Sequence, residues 1–240
     1  MDIANLTSTR EVAVNQQGRD FIVADLHGSY APLLKALADV EFDRRRDRLF
    51  ALGDLIDRGD ESYQCLALLR EPWFYSVLGN HEYMMMAALQ QGMHSHAWDL
   101  WMANGGYWFT QLNPTEYQDV SALLTQLLKL PVTLTLSAAD NRQVGLSHAQ
   151  PPIFDWHKFS GNKLPKEKEM WRALWGRDVI RSRIVTRVKG VAATFHGHTV
   201  VSAPVTIGNM HFIDTGAYLN NRVELFEVNK VLITSAEQAA

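Results

Sequence analysis

Several short apolar, β-prone runs in this chain each break off at a polar cluster rich in metal-ligand side chains, and that repetition constrains the fold more than any other feature. Phe21-Ile22-Val23-Ala24 runs into DLHGS, Leu49-Phe50-Ala51-Leu52 into GDLIDRG, and residues 73–78 into GNHE. The clusters SHA and HGHT, which carry His148 and His198, also follow strand-like segments. Apolar runs of this length bounded by turn signals read as strands. Gly53 and Gly79 stand directly before Asp54 and Asn80, and glycine lets the backbone turn sharply and approach an ion closely. Residues two apart in extended chain point to one side, so Asp25 and His27 are expected to reach the same ion. Asp25, His27, Asp54, Asn80, His148 and His198 offer hard oxygen and imidazole donors, and their delivery by successive strands predicts a site for two metal ions.

Between the first three strands lie helical patterns, Leu33, Leu34, Leu37 and Val40 with Pro32 near the start, then Leu66, Leu68 and Leu69. Strand, helix, strand, helix, strand reads as a parallel sheet, and in such sheets ligands bind beyond the carboxyl ends of the strands. Residues 82–91 and 95–103 look helical. Residues 114–130 form an amphipathic pattern with Asn113 as cap and Pro114 in the first turn. From Val132 onward strands dominate: 132–136 and 143–147 as a hairpin, then 191–195, 204–207, 211–213 and 223–228. The fold class is therefore α/β, with a second sheet bringing His148 and His198 to the edge of the first.

As they stand, the clusters resemble those of the phosphoprotein phosphatase family of metallophosphoesterases, nearest its small bacterial and phage serine/threonine phosphatases. The resemblance runs from about Phe21 to Leu225 and includes NGGYWF at 104–109 and IDTGA at 213–217. It implies a calcineurin-like fold, two mixed β-sheets packed as a sandwich and flanked by helices. It also implies that Asp25 and His27 hold one metal, that Asp54 bridges, and that Asn80, His148 and His198 complete the second. In the same terms His81 is the general acid, Asp57 orients it, and Arg58 holds the substrate phosphate. Arg177, in LWGRD, is the looser match to a second phosphate-binding arginine. The implied reaction is hydrolysis of phosphoserine and phosphothreonine in proteins or peptides, with phosphotyrosine as a further target, by direct attack of a hydroxide bridging two divalent ions. Mn²⁺ is the expected metal, with Fe or Zn²⁺ as alternatives suited to thiolate-free ligands.

Two departures from the family pattern bear on the alternatives. Leu78 stands where these phosphatases commonly place an arginine that touches phosphate, so one clamp is expected to be missing and an apolar side chain to border the site. Leucine there resembles the symmetrical dinucleoside tetraphosphatases, the alternative enzyme, yet those typically lack the first Asp of the DRG triplet and Asp57 is intact. Gln150-Pro151-Pro152, after His148-Ala149, is expected to reshape the substrate rim. A metal-stabilised binding protein without catalysis is the non-enzyme alternative, disfavoured by the retention of Asp57, Arg58 and His81. His196, two residues from His198, is given a supporting or substrate-side role.

With 47% apolar residues in 240 and no Pro, Gly or Ser rich linker, the chain is expected to form one domain, residues 1–240. A formal net charge of -3 carries no electrostatic footprint for nucleic acid. The N-terminus has neither a basic nor an apolar leader segment and no run approaches a membrane span, so a cytoplasmic monomer without membrane contact is expected. Cys65 is the single cysteine and reads as structural. Met84-Met85-Met86 reads as core filler. Arg181, Arg183, Arg187 and Lys189 read as a solvated face, with only Arg177 of that basic stretch assigned to substrate.

Overall fold

Both faces of the first strands are apolar, so the sheet they form has to be covered on both sides. In the computed structural model, which describes residues 9–159 and 166–237, the chain runs β1 (Thr9–Val12), β2 (Asp20–Val23), α1 (Tyr30–Asp39), β3 (Arg48–Ala51), α2 (Ser62–Ala67), β4 (Phe74–Ser76), α3 (Asn80–Gln91), α4 (His96–Ala103) and α5 (Pro114–Leu127). It continues through β5 (Thr133–Ser137), β6 (Gln143–Ser147), α6 (Trp156–Phe159), α7 (Glu167–Trp175), α8 (Asp178–Ser182), β7 (Ala193–His196), β8 (Val205–Ile207), β9 (Met210–Phe212), α9 (Ala217–Asn220), β10 (Phe226–Glu227) and α10 (Val228–Glu237). Residues 1–8, most of the stretch read above for a leader, lie outside the described residues.

Two mixed sheets result. One has four strands in the order β10-β2-β3-β4, with β2, β3 and β4 parallel and β10 antiparallel on the edge. The other has six, in the order β1-β5-β6-β7-β9-β8. Alternation decides what each face meets. Ile22, Phe50 and Val77 point to the second sheet and pack with Leu134, Leu136, Val144, Leu146 and Phe195. Phe21, Val23, Leu49 and Ala51 point the other way, onto Leu33, Leu37, Leu66, Val120, Leu123 and Leu127 of the helices. Fully buried Phe50 sits between the sheets, where truncation to alanine costs about 3–5 kcal/mol. Cys65, Met85 and Met86 are likewise fully buried, as core filler should be.

The cap on α5 is the predicted one. Asn113 Oδ1 accepts from the backbone N–H of Thr115 and Glu116 at 2.9 and 3.0 Å, while Glu116 accepts from Asn113 N–H at 3.0 Å. After Val132, where strands were expected to dominate, α6, α7, α8, α9 and α10 stand among the strands, and two further segments differ. Only Phe226–Glu227 of 223–228 pairs as strand, because the chain then turns into α10, whose Val228 and Leu232, four apart, bury in the inter-sheet core. Strand β1, parallel to β5, was not legible, since its TREV sequence alternates weakly and leaves only Val12 buried.

Candidate metal centre

The loops beyond β2, β3 and β4 are stitched to one another by backbone. Extended chain does not carry Asp25 and His27 to one side, as expected; β2 has already ended and a turn does it. The N–H groups of Leu26 and His27 both donate to the Asp54 carbonyl, at 3.0 and 2.9 Å, with His27 at φ 43°. A Cβ on Gly79 would lie 2.2 Å from the Asp54 nitrogen, so these two loops touch only because that residue is glycine. Buried Glu82 closes the joint: its carboxylate accepts from the N–H groups of Asp54, Leu55 and Gly79 at 2.8, 2.8 and 3.0 Å. Of nine non-glycine residues with positive φ among those described, five are His27, Asp54, Asp57, Arg58 and His198. Such backbone is costly and gathers at functional sites.

These turns converge the donor atoms. His27, Asp54 and His81 form one cluster able to hold an ion, and Asp54, His148 and His198 a second, so Asp54 is common to both. Asp25 lies between them, 3.9 Å from His27 Nε2 and 3.9 Å from His148 Nδ1. The proton positions suit ligation. His27 Nδ1 and His148 Nδ1 donate to the carbonyls of Ile56 and Leu52, at 2.8 and 2.7 Å, which leaves each Nε2 as a lone pair. His148 Nε2 then faces Asn80 Oδ1 at 2.8 Å, His198 Nδ1 at 3.1 Å and Asp54 Oδ2 at 3.4 Å. That gathering of lone pairs is stabilised by a cation among them. Buried His198 Nε2 has no hydrogen-bond partner among the described residues.

Electrostatics point the same way. Burial lowers the pKa of His27 to about 3 and of His198 to about 2, and lowers that of His148, so all three imidazoles are neutral, the form that binds metal. Burial opposes ionisation of Asp54, but His148, His81, His27 and His198 together outweigh it and hold the carboxyl below its usual range. Burial, then Asp214 and Asp54, push Asp25 well above that range. Close-set buried carboxylates of this kind favour a cation. The residues present fit a pair of hard divalent ions.

Beside the donors, Asp57 collects three N–H groups. His81 Nδ1 lies 2.6 Å from Oδ2, Trp101 Nε1 is 3.1 and 3.0 Å from the two oxygens, and Trp108 Nε1 is 2.7 Å from Oδ1. Burial works against a charged His81, yet Asp54 and the bonded Asp57 outweigh it and raise the imidazole pKa. Arg58 Nη1 donates to His27 Nε2 at 2.9 Å and Nη2 lies 3.1 Å from His81 Nε2, while its guanidinium rests 5.0 Å over the Tyr218 ring. Arg58 and Arg177 line one cavity of about 400 Å³ with Asn80 and His198. The structure thus gathers every residue assigned from the sequence. Trp101, Trp108, Tyr218 and Glu82 were missed; Trp108, inside NGGYWF, and Glu82, the last residue of GNHE, carried a signal.

Three expectations are corrected. Leu78 does not border the cavity: its side chain is fully buried in the helix-side core, and its N–H donates to the Pro131 carbonyl at 2.9 Å. Gln150 is not on the rim either. It is buried, accepts from Val179 N–H at 3.2 Å and donates to Asp178, fastening the start of α8 next to Arg177. His196 turns into its own sheet, bonded to Thr194 Oγ1 at 2.8 Å and to the carbonyl of Ser147, the residue before His148, at 3.1 Å; of its two expected roles this fits the supporting one and not the substrate-side one.

Comparison with known proteins agrees with this geometry. The calcineurin-like phosphoesterase family profile matches residues 21–202. Serine/threonine-protein phosphatase 1 of Salmonella typhimurium is 33% identical over 213 residues, 87% of this chain and 91% of the relative. A symmetrical bis(5'-nucleosyl)-tetraphosphatase of Thioalkalivibrio sulfidiphilus is 40% identical, but over 76 residues, 31% of this chain and 28% of its own. The crystal structure of a putative diadenosine tetraphosphatase shares the fold, with a TM-score of 0.62 at 21% identity, covering 93% of this chain and 95% of that one. With strand-end donors, two ion-binding clusters sharing Asp54 and a family match across most of its length, the chain belongs to the calcineurin-like metallophosphoesterases, hydrolases built around a dinuclear metal centre.

Proposed function

We propose that this chain is a serine/threonine protein phosphatase, with Asp25, His27, Asp54, Asn80, His148 and His198 as the metal ligands and Mn²⁺ as the first metal to test. One observation carries the reading: the His81–Asp57 contact at 2.6 Å, set beside the shared carboxylate Asp54. When bound, a pair of divalent ions lowers the pKa of a water and neutralises charge on the attacking and leaving oxygens. This chain's own residues do the rest. Arg58 and Arg177, on one cavity, neutralise and orient the phosphate oxygens, for which a planar guanidinium is suited. His81, its protonated form supported by Asp57, delivers a proton to the departing serine or threonine oxygen. Similarity to a protein phosphatase over most of both chains supports phosphoproteins as substrates.

A second reading, symmetrical dinucleoside tetraphosphate hydrolysis, draws on the local identity and shared fold described above. Steady-state kinetics with Mn²⁺ on a phosphothreonine peptide and on diadenosine tetraphosphate decide between them. The proposal expects the higher kcat/KM on the peptide; turnover of the nucleotide alone overturns it.

A further inference from the structure

Helices α7 and α8 form a second hollow, of about 730 Å³, that opens beside the metal-centre cavity. The two share Trp171, Trp175 and Arg177 as lining. Trp171 and Trp175 are four apart on α7 and so stand on one face of it, while the opposite face buries Ala173 and Leu174 in the core. Trp171 is 56% exposed and so offers an indole face at the mouth of both hollows. Trp175 packs edge-on against Tyr83, ring centroids 5.3 Å apart, between the two hollows.

The outer hollow is cationic in a chain whose formal net charge is -3. Lys168, Arg172 and Arg181 line it and do not line the inner cavity. Its one carboxylate, Asp178, is already engaged, 3.3 Å from Arg172 Nη2 and bonded by Gln150. Lys168 and Arg181 are exposed and enter no ion pair among the described residues.

We propose that this channel is a docking groove for acidic side chains that flank the phosphorylated residue, its indoles receiving the apolar parts of the same segment. The inference rests on the protein phosphatase reading and deepens it. Charge placement argues for a peptide over a nucleotide. A dinucleoside polyphosphate concentrates its charge beside the metal ligands and Arg58 and sends an uncharged base outward, where Lys168 and Arg181 would find no partner. An acidic peptide carries negative charge outward along the chain, where these cations stand. Arg181 thus leaves the solvated face assigned to it from the sequence and acquires a ligand.

The test compares phosphothreonine peptides with aspartate, alanine or lysine on either side of the phosphoresidue, against para-nitrophenyl phosphate, in the Mn²⁺-loaded enzyme. Wild type should show kcat/KM about threefold to tenfold higher for aspartate than for alanine flanks, the scale of a few exposed charge pairs, and lose the difference at high salt. Lys168→Glu with Arg181→Glu should abolish the preference and favour lysine flanks, leaving para-nitrophenyl phosphate hydrolysis unchanged, which also shows that the variant is folded. Trp171→Ala should raise KM more on the peptides than on the small substrate; an equal rise on both would count against the indole as part of the groove. Peptides cleaved with the same efficiency whatever their flanks overturn the groove and leave the phosphatase reading standing. Cleavage of diadenosine tetraphosphate and of no peptide overturns both.

Discussion

Asp57→Asn tests the proton donor with little change of shape. The carboxylate accepts from His81, Trp101 and Trp108, and an amide offers one oxygen to these donors while turning an NH₂ towards one of them. A hydrogen bond to a charged group is worth about 1.5–3 kcal/mol, so loss of the His81 interaction alone is worth roughly 10- to 150-fold in a step that needs a protonated imidazole. The sign in pH follows from the raised pKa of His81. The interaction with its charged form stabilises the fold fully below the unfolded value of about 6.5, and that stability fades as pH rises through the higher folded value. Activity on an alkyl phosphate should therefore fall on the alkaline side, and in Asp57→Asn that limb should move to lower pH. The assay is kcat/KM against pH on a phosphoserine peptide and on para-nitrophenyl phosphate, whose leaving group needs little protonation. A large loss on the peptide with a smaller one on the aryl ester is expected. Equal losses on both, with the alkaline limb unmoved, would refute the assignment and leave Asp57 as a brace for the Arg58 turn.

Other perturbations reach other parts of the site. Asp54→Asn removes the carboxylate common to both clusters and should lower bound metal, read by elemental analysis, together with nearly all turnover; chelated wild type should recover with Mn²⁺, and undiminished activity after exhaustive chelation would refute a two-metal reaction. Leu78→Arg puts an unpaired charge into a fully buried apolar position and should destabilise by several kcal/mol, seen as a lower Tm, with no gain in phosphopeptide KM. Tyr218→Ala removes the ring under Arg58 and should raise KM for phosphate esters about threefold to tenfold, whereas Tyr218→Phe, which keeps the ring face, should stay near wild type.

What could be read from the sequence is what local chemistry determines. Apolar runs before Asp25, Asp54 and Asn80 announce strand ends, and Asn113-Pro114 with Glu116 announces a helix start, because each signal lies within a few residues of its effect. The contacts that shape the site are of another kind. Trp101 and Trp108 reach Asp57 across 44 and 51 residues, and no periodicity reports such a meeting. Leu78 was misplaced for a related reason. Its neighbours Gly79 and Asn80 belong to the site, but the strand alternates, and the residue one step earlier turns into the core. Sequence neighbourhood and spatial neighbourhood part company where a strand meets a loop.

The left-handed turns at Arg58 and His198, at φ 71° and 65°, separate what folding wants at these positions from what chemistry wants. Glycine adopts that backbone freely, and an L side chain there costs on the order of 1–2 kcal/mol. A population of variants selected for thermal stability alone should therefore drift towards glycine at both places while losing catalysis. Positions where Tm and turnover respond in opposite directions would then map the working surface of the enzyme without any substrate having been identified.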